Sequence, residues 1–202
     1  SFLDTIDGGF GLTLTAGAGS VTFGNDVGAT AAVGDIVIVS ADDVSAPRRE
    51  LQAGENPADF GDDFNEEDNT VPVNITSSLF THNAGTGEFT LSGDLTTKGP
   101  AATAGGDVDI QTDGAITIEG DINTAGGPAV AAGMDGGDVT LVSANAGIEV
   151  SRIVTSGSGA VAGTGGDAGD VTMQTTTELT SRVDVWVPDS MLTLNGDLVA
   201  VG

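Results

Sequence analysis

"GGDVDIQTDGAITIEGDINTAGG", residues 105–127, is the stretch whose reading decides the fold. Val108 and Ile110 alternate with polar residues, and so do Ile116 and Ile118. Alternation with period two marks a strand with one buried face. Gly120-Asp121 then interrupts the pattern at a bend, where Gly permits an unusual backbone and Asp can satisfy local donors. Ile122 opens another short strand. The order is strand, turn, strand, corner, short strand and Gly/Ala loop, with no helical period.

Working outward, the same phrases return. "GGDVTL" occupies Gly136–Leu141 and "AGDVTM" Ala168–Met173, so the Gly before Asp falls at 106, 137 and 169, in steps of 31 and 32. "FTLSGDL" (Phe89–Leu95), "LTLNGDL" (Leu192–Leu198) and "VTFGNDV" (Val21–Val27) repeat the corner, and "GIEVSRIVTSG" (Gly147–Gly157) is a diverged copy. A period of this size without helical pattern predicts a solenoid of stacked parallel strands, in which like residues lie above one another. Val108, Val139 and Val171 should form one inward ladder, and Ile116 with Ile148 another. Gly at the corners lets adjacent coils approach to ordinary strand spacing of ~4.8 Å.

The resulting expectation is an all-β parallel β-helix, one domain over 1–202. "LTLT", "VTF" and "DIVIV" supply strands within residues 11–44, and "VPVNIT" (Val71–Thr76) resumes strand character. Residues 41–70 lack periodicity and read as an acidic loop insertion, protruding or partly disordered. The tail gives "RVDVWV" (Arg182–Val187), then a turn at 188–190. No capping helix is predicted at either end, and no charged-then-apolar leader precedes Ser1. That start fits a leader already removed or a segment of a longer chain.

Composition narrows the function. Thirty acids against five bases give a formal charge of −25, which disfavours nucleic acid and anionic membranes. No apolar run is long enough to cross a membrane as a helix. With no Cys there is neither disulfide nor thiolate chemistry, and one Trp with no Tyr gives no aromatic platform for sugars or bases.

"GLTLTAGAGSVTFGNDVG" (Gly11–Gly28), together with "GGDVTL" and "GDINTAGG", resembles the filamentous haemagglutinin-type β-strand repeat proteins of bacterial surfaces. The resemblance covers Phe2–Ser45 and Asn74–Gly157, and the remainder more loosely. It implies a right-handed parallel β-helix, export from a bacterial cell, and an adhesive or filamentous role outside it. The family's usual amino-terminal secretion domain is not visible, and the insertion departs from its pattern.

Several residues are candidates for chemistry. Asp107, Asp138 and Asp170 should stack, as should Asp94 and Asp121; a Ca²⁺ ion between the opposed charges is one reading, and each Asp facing water and capping its own turn is the favoured one. Within "ENPADFGDDFNEED" (Glu55–Asp68), Asp59, Asp62, Asp63, Glu66, Glu67 and Asp68 are the candidate Ca²⁺ ligands, because hard oxygens suit that ion. "GGDAGDVTM" (Gly165–Met173) is similar to a nonapeptide Ca²⁺ repeat, but Ala168 holds its central Gly position. Arg48 and Arg49 are expected to neutralise the acidic loop, and His82 to sit in a turn. Trp186 falls opposite Val183, Val185 and Val187. Thr22, Thr90, Thr117 and Thr193 read as outward-facing strand residues. "NIT" (Asn74–Thr76) matches a glycosylation acceptor. Paired carboxylates for polysaccharide cleavage would need a proton-donating and cationic supporting cast, and one His and one Lys make that cast thin. The expectation is therefore a non-enzyme: an exported structural or adhesive fibre element that joins end to end through Phe2, Leu3, Met191, Leu192, Leu194, Leu198, Val199 and Val201. Host or matrix carbohydrate or protein is the expected external partner. A Ca²⁺-dependent surface-layer protein is the alternative, and a polysaccharide-active β-helix the distant one.

Overall fold

The computed structural model describes residues 1–129, 132–160, 164–181 and 192–198, with backbone alone for 177–181 and 192–198. The described residues are all-β, without α-helix. The early strands are β1 (Leu12–Thr15), β2 (Val21–Thr22), β3 (Val33–Ser40), β4 (Val44–Ala46) and β5 (Arg49–Glu50). After two 3₁₀ turns come β6 (Thr70–Val71), β7 (Ile75–Gly85), β8 (Phe89–Leu91), β9 (Leu95–Thr96) and β10 (Val108–Thr112). β11 (Ile116–Asn123), β12 (Val139–Ser143), β13 (Ile148–Val154), β14 (Val171–Ser181) and β15 (Leu192–Leu198) complete the set.

Thirteen strands join one sheet, and every strand pairing in it is parallel. The registers resolve into three ladders. The first runs Leu12, Ile36, Phe80, Val108, Val139, Val171, Leu192. The second runs Val21, Val44, Phe89, Ile116, Ile148, Leu179, Leu198. Ile6, Val27, Ile75, Leu95, Ile122 and Ile153 form the third. The chain visits the three ladders in the same order again and again. One circuit is one repeat, and Val108, Val139 and Val171 are its 31- and 32-residue steps.

Alternation decides what is buried. Val108, Val139, Val171, Ile116 and Ile148 are at most 1% exposed, and all belong to one continuous core cluster. Both expected ladders exist, and each extends further than the repeated phrases reach. Large aromatics fill the middle circuit, where Phe80 and Phe89 meet edge to face with centroids 5.7 Å apart.

The excursion starts later than the sequence suggests. Val44 and Ala46 are buried and in register with Phe89 and Leu91, so residues 41–46 belong to the ladder. Only 47–72 leave it. This segment has its own order: β5 pairs antiparallel with β6, and 3₁₀ turns occupy Pro57–Asp59 and Gly61–Asp63. Its aperiodicity reflects a polar, locally bonded loop. Arg182–Ser190, including Trp186, lies outside the described residues.

Candidate functional site: the insertion cleft and the aspartate columns

The Gly-Asp corners form columns that run across the circuits. The Asp138 N–H donates to the Asp107 carboxylate at 2.9 Å, and the Asp170 N–H donates to Asp138 at 2.8 Å. A second column links Asp26, Asn74, Asp94 and Asp121, each side-chain oxygen accepting the next backbone N–H at 2.7 to 2.8 Å. Asp135 accepts the Asp167 N–H in a third, so both aspartates of the "GGDAGDVTM" stretch donate their backbone N–H to carboxylates of the preceding circuit. The aspartates therefore cap the circuit after their own rather than their own turn. Parallel stacking in register puts each carboxylate beside a backbone donor one strand away, and a charge-assisted bond there is stronger than a neutral one. It also offsets the repulsion expected between like charges in register.

The preceding glycines follow from the same packing. A Cβ at Gly120 would collide with the Asp94 carboxylate and the Gly93 carbonyl, and one at Gly137 with the Gly106 carbonyl. Buried threonines complete each corner. Thr97, Thr124 and Thr155 donate to the carbonyls of Gly106, Gly137 and Gly169 at 2.6, 2.7 and 2.9 Å. Sequence reasoning missed these hydroxyls. Their signal was a Thr recurring shortly before each Gly-rich loop.

Two arginines fasten the insertion. Arg49 forks onto Glu55 with two bonds of 2.8 Å and reaches Asp26 on the ladder at 3.6 Å, its side chain only 9% exposed. The hydrogen bond from Arg49 holds the Glu55 carboxyl below its ordinary value, and the same bond raises Arg49. Arg48 acts differently from expectation. It donates to the Thr70 hydroxyl at 3.3 Å and to the Asp63 and Thr70 carbonyls, closing the loop through its backbone. Arg152 pairs with Asp121 at the far end of the second column.

Between insertion and wall lies a cleft of about 540 Å³, whose lining includes Arg48, Asp62, Asp63, Phe64, Glu66, Asp94 and Glu119. Three of the candidate Ca²⁺ ligands, Asp62, Asp63 and Glu66, thus face one space. Asp59, Glu67 and Asp68 are exposed and do not line it. Among the described residues no three acidic or histidine side chains group closely enough to hold a metal ion. Asn74 spends its side-chain oxygen on the Asp94 N–H, inside the second column.

His82 is not in a turn. It lies in β7 in register with Ile38 and Ile110, fully buried.

Of the assembly candidates, Phe2 is half-buried and stacks on Phe23 at 5.6 Å, while Leu3 is 80% exposed. Phe10, 62% exposed, is a further exposed apolar residue that sequence reasoning overlooked. Leu192, Leu194 and Leu198 lie in β15, paired with Val171, Met173 and Leu179. Met191, Val199 and Val201 lie outside the described residues. Among the described residues no helix is long and apolar enough to cross a membrane. Comparison with protein-family models, with curated proteins and with solved structures finds no match.

Proposed function

We propose that the three ladders close into a right-handed parallel β-helix, and that this chain is a non-catalytic element of an exported bacterial surface fibre or matrix. The reading is the one that the likeness to filamentous haemagglutinin-type repeats implies. In it, copies join end to end, and the mature fibre meets matrix carbohydrate or protein outside the cell.

The observation that carries the reading is the contrast along the first ladder. Ile36 and Ile38 are at most 1% exposed, whereas Leu12 and Leu14, one strand further out on β1, are only half-buried. β1 has a strand neighbour on one side, β3, and its other edge is unpaired among the described residues. β15 stands at the opposite end of the same ladder with the same strand direction. A parallel edge accepts a parallel strand, so β15 of one copy continues onto β1 of the next. Such a contact is heterologous, and one that does not close into a ring extends as a filament. The acidic side walls stay outside the joint. A Ca²⁺-dependent surface-layer role has no comparable observation behind it, since the described carboxylates do not group.

Negative-stain imaging and sedimentation of the purified chain test this. Filaments or concentration-dependent oligomers are expected. The variant Leu12→Glu/Leu14→Glu, and separately a chain ending at residue 190, should keep the β-sheet circular dichroism and sediment as monomers. A chain that is monomeric at every concentration overturns the assembly reading. So do both variants if they assemble as the parent does.

A further inference from the structure

β7 is unlike the other strands of the core. The described residues contain four buried side-chain polar atoms with no hydrogen-bond partner in the protein, and three lie on this one strand: Ser77 Oγ, His82 Nδ1 and His82 Nε2. His82 is 0% exposed. In register it sits between Ile38 of β3 and Ile110 of β10, and its ring lies 6.2 Å from that of Phe89 on β8. The Thr112 hydroxyl lies nearby, since a Cβ at Gly85 would touch both it and His82 Nε2. That hydroxyl is already given to the Gly87 carbonyl.

No countercharge faces the ring. On β3 the acid is Asp35, which alternation places outside and which is exposed. On β10 it is Asp109, also on the outer face and accepting a bond from Gln111 at 2.9 Å. β8 carries none, and Glu88 just before it is exposed. β7 has no other titratable group. A buried imidazolium here would be an unpaired charge, and an unpaired buried charge costs far more than a neutral ring.

We propose that His82 makes β7 an acid-opened seam, its protonation releasing this strand from β3 and β10 at mildly acidic pH. The direction of the coupling follows from which form the core tolerates. Burial pushes His82 below the ordinary histidine value, and the Ile38 backbone, near the ring but outside hydrogen-bonding geometry, offsets this only in part. The open strand therefore binds the proton more readily than the closed one. The stabilisation from the neutral ring is complete above about pH 6.5, declines as pH falls below that, and is exhausted once the folded-state value is passed. Within that window each pH unit multiplies the opening constant by up to about tenfold. Opening at β7 separates the circuits on either side of it, so a fibre of such chains would loosen within each subunit rather than at the joints. The part of the window between about pH 6.5 and 5.5 lies above the ordinary carboxylate range, so there acid protonation of the outer wall does not mask it.

Amide hydrogen exchange of the full chain at pH 7.5 and 5.5, corrected for intrinsic rates, reads the effect. Protection of β7, β3 and β10 should fall at least severalfold at pH 5.5, while β12 and β13 keep theirs. His82→Leu should abolish the difference between the two pH values. The chain has one histidine, so its ring resonances give a second readout that needs no variant. In the folded protein they should show no titration at pH 6.5. Equal acid loosening in His82→Leu, loosening spread evenly over all strands, or a folded-state titration at or above 6.5 each overturns the proposal.

Discussion

The ladder body and the insertion at 47–72 are built on opposite principles. In the body, each residue is chosen by what lies one circuit away: Ile116 by Phe89 and Ile148, and Asp121 by the Asp94 carboxylate. In the insertion, most contacts stay within the segment itself, such as Arg49 with Glu55 or the Asn56 side chain accepting the Ala58 N–H at 3.2 Å. The body therefore repeats and the insertion does not. Repetition records packing between circuits, and its absence marks a segment free of that constraint. The body should accordingly be intolerant of small changes that the insertion absorbs.

The largest effect is expected in the ladder. Ile116→Ala removes a fully buried side chain from the second ladder, and such truncations cost about 2–5 kcal/mol. Urea unfolding should show a loss in that range, and a loss under 1 kcal/mol would mean that the ladder is not the source of stability. Gly137→Ala comes next. Its new methyl meets the Gly106 backbone rather than a flexible side chain, and overpacking of this kind costs about 1–3 kcal/mol. The same substitution at Gly54 or Gly159, where the space is open, is the control for steric collision. Gly159 is the cleaner of the two, because Gly54 has a positive φ.

Arg49→Ala tests the attachment of the insertion. It removes two charge-assisted bonds and the reach to Asp26. With discount for the partial exposure of Glu55, the loss should be about 1–2 kcal/mol. Because Glu55 is held below its ordinary value of 4.5, that contribution is present above pH 4.5 and fades as pH falls through the lowered value. The gap between Arg49→Ala and the parent should therefore narrow in acid. A gap that is constant with pH would assign the effect to packing of the arginine stem instead.

The smallest effect concerns cations. The chain carries −25 charges, but without a close group of three ligands among the described residues, salt acts by screening. Melting temperature should rise with NaCl, and a chelator at matched ionic strength should leave it unchanged. A chelator-induced drop that NaCl does not restore would place a specific ion in the insertion cleft and revive the calcium reading.

Period-two alternation and the Gly-Asp corner are local patterns, so the strands, their buried faces and the 31- and 32-residue steps could be read from the chain alone. The repeated "GDV" and "GDI" phrases likewise announced stacked aspartates. What those aspartates bond was decided by tertiary structure, because the partner N–H lies 20 to 48 residues away and becomes a neighbour only when circuits stack in register. The true start of the insertion was hidden for a similar reason. Val44–Ala46 is too short to show a period, and only its pairing with Phe89–Leu91 identifies it as ladder. His82 shows the remaining limit. The polar run "THN" (Thr81–Asn83) looks like a turn, yet His82 stands two residues from Phe80 and shares its buried face. Composition argued for the surface, and the geometry of the strand put the ring in the core.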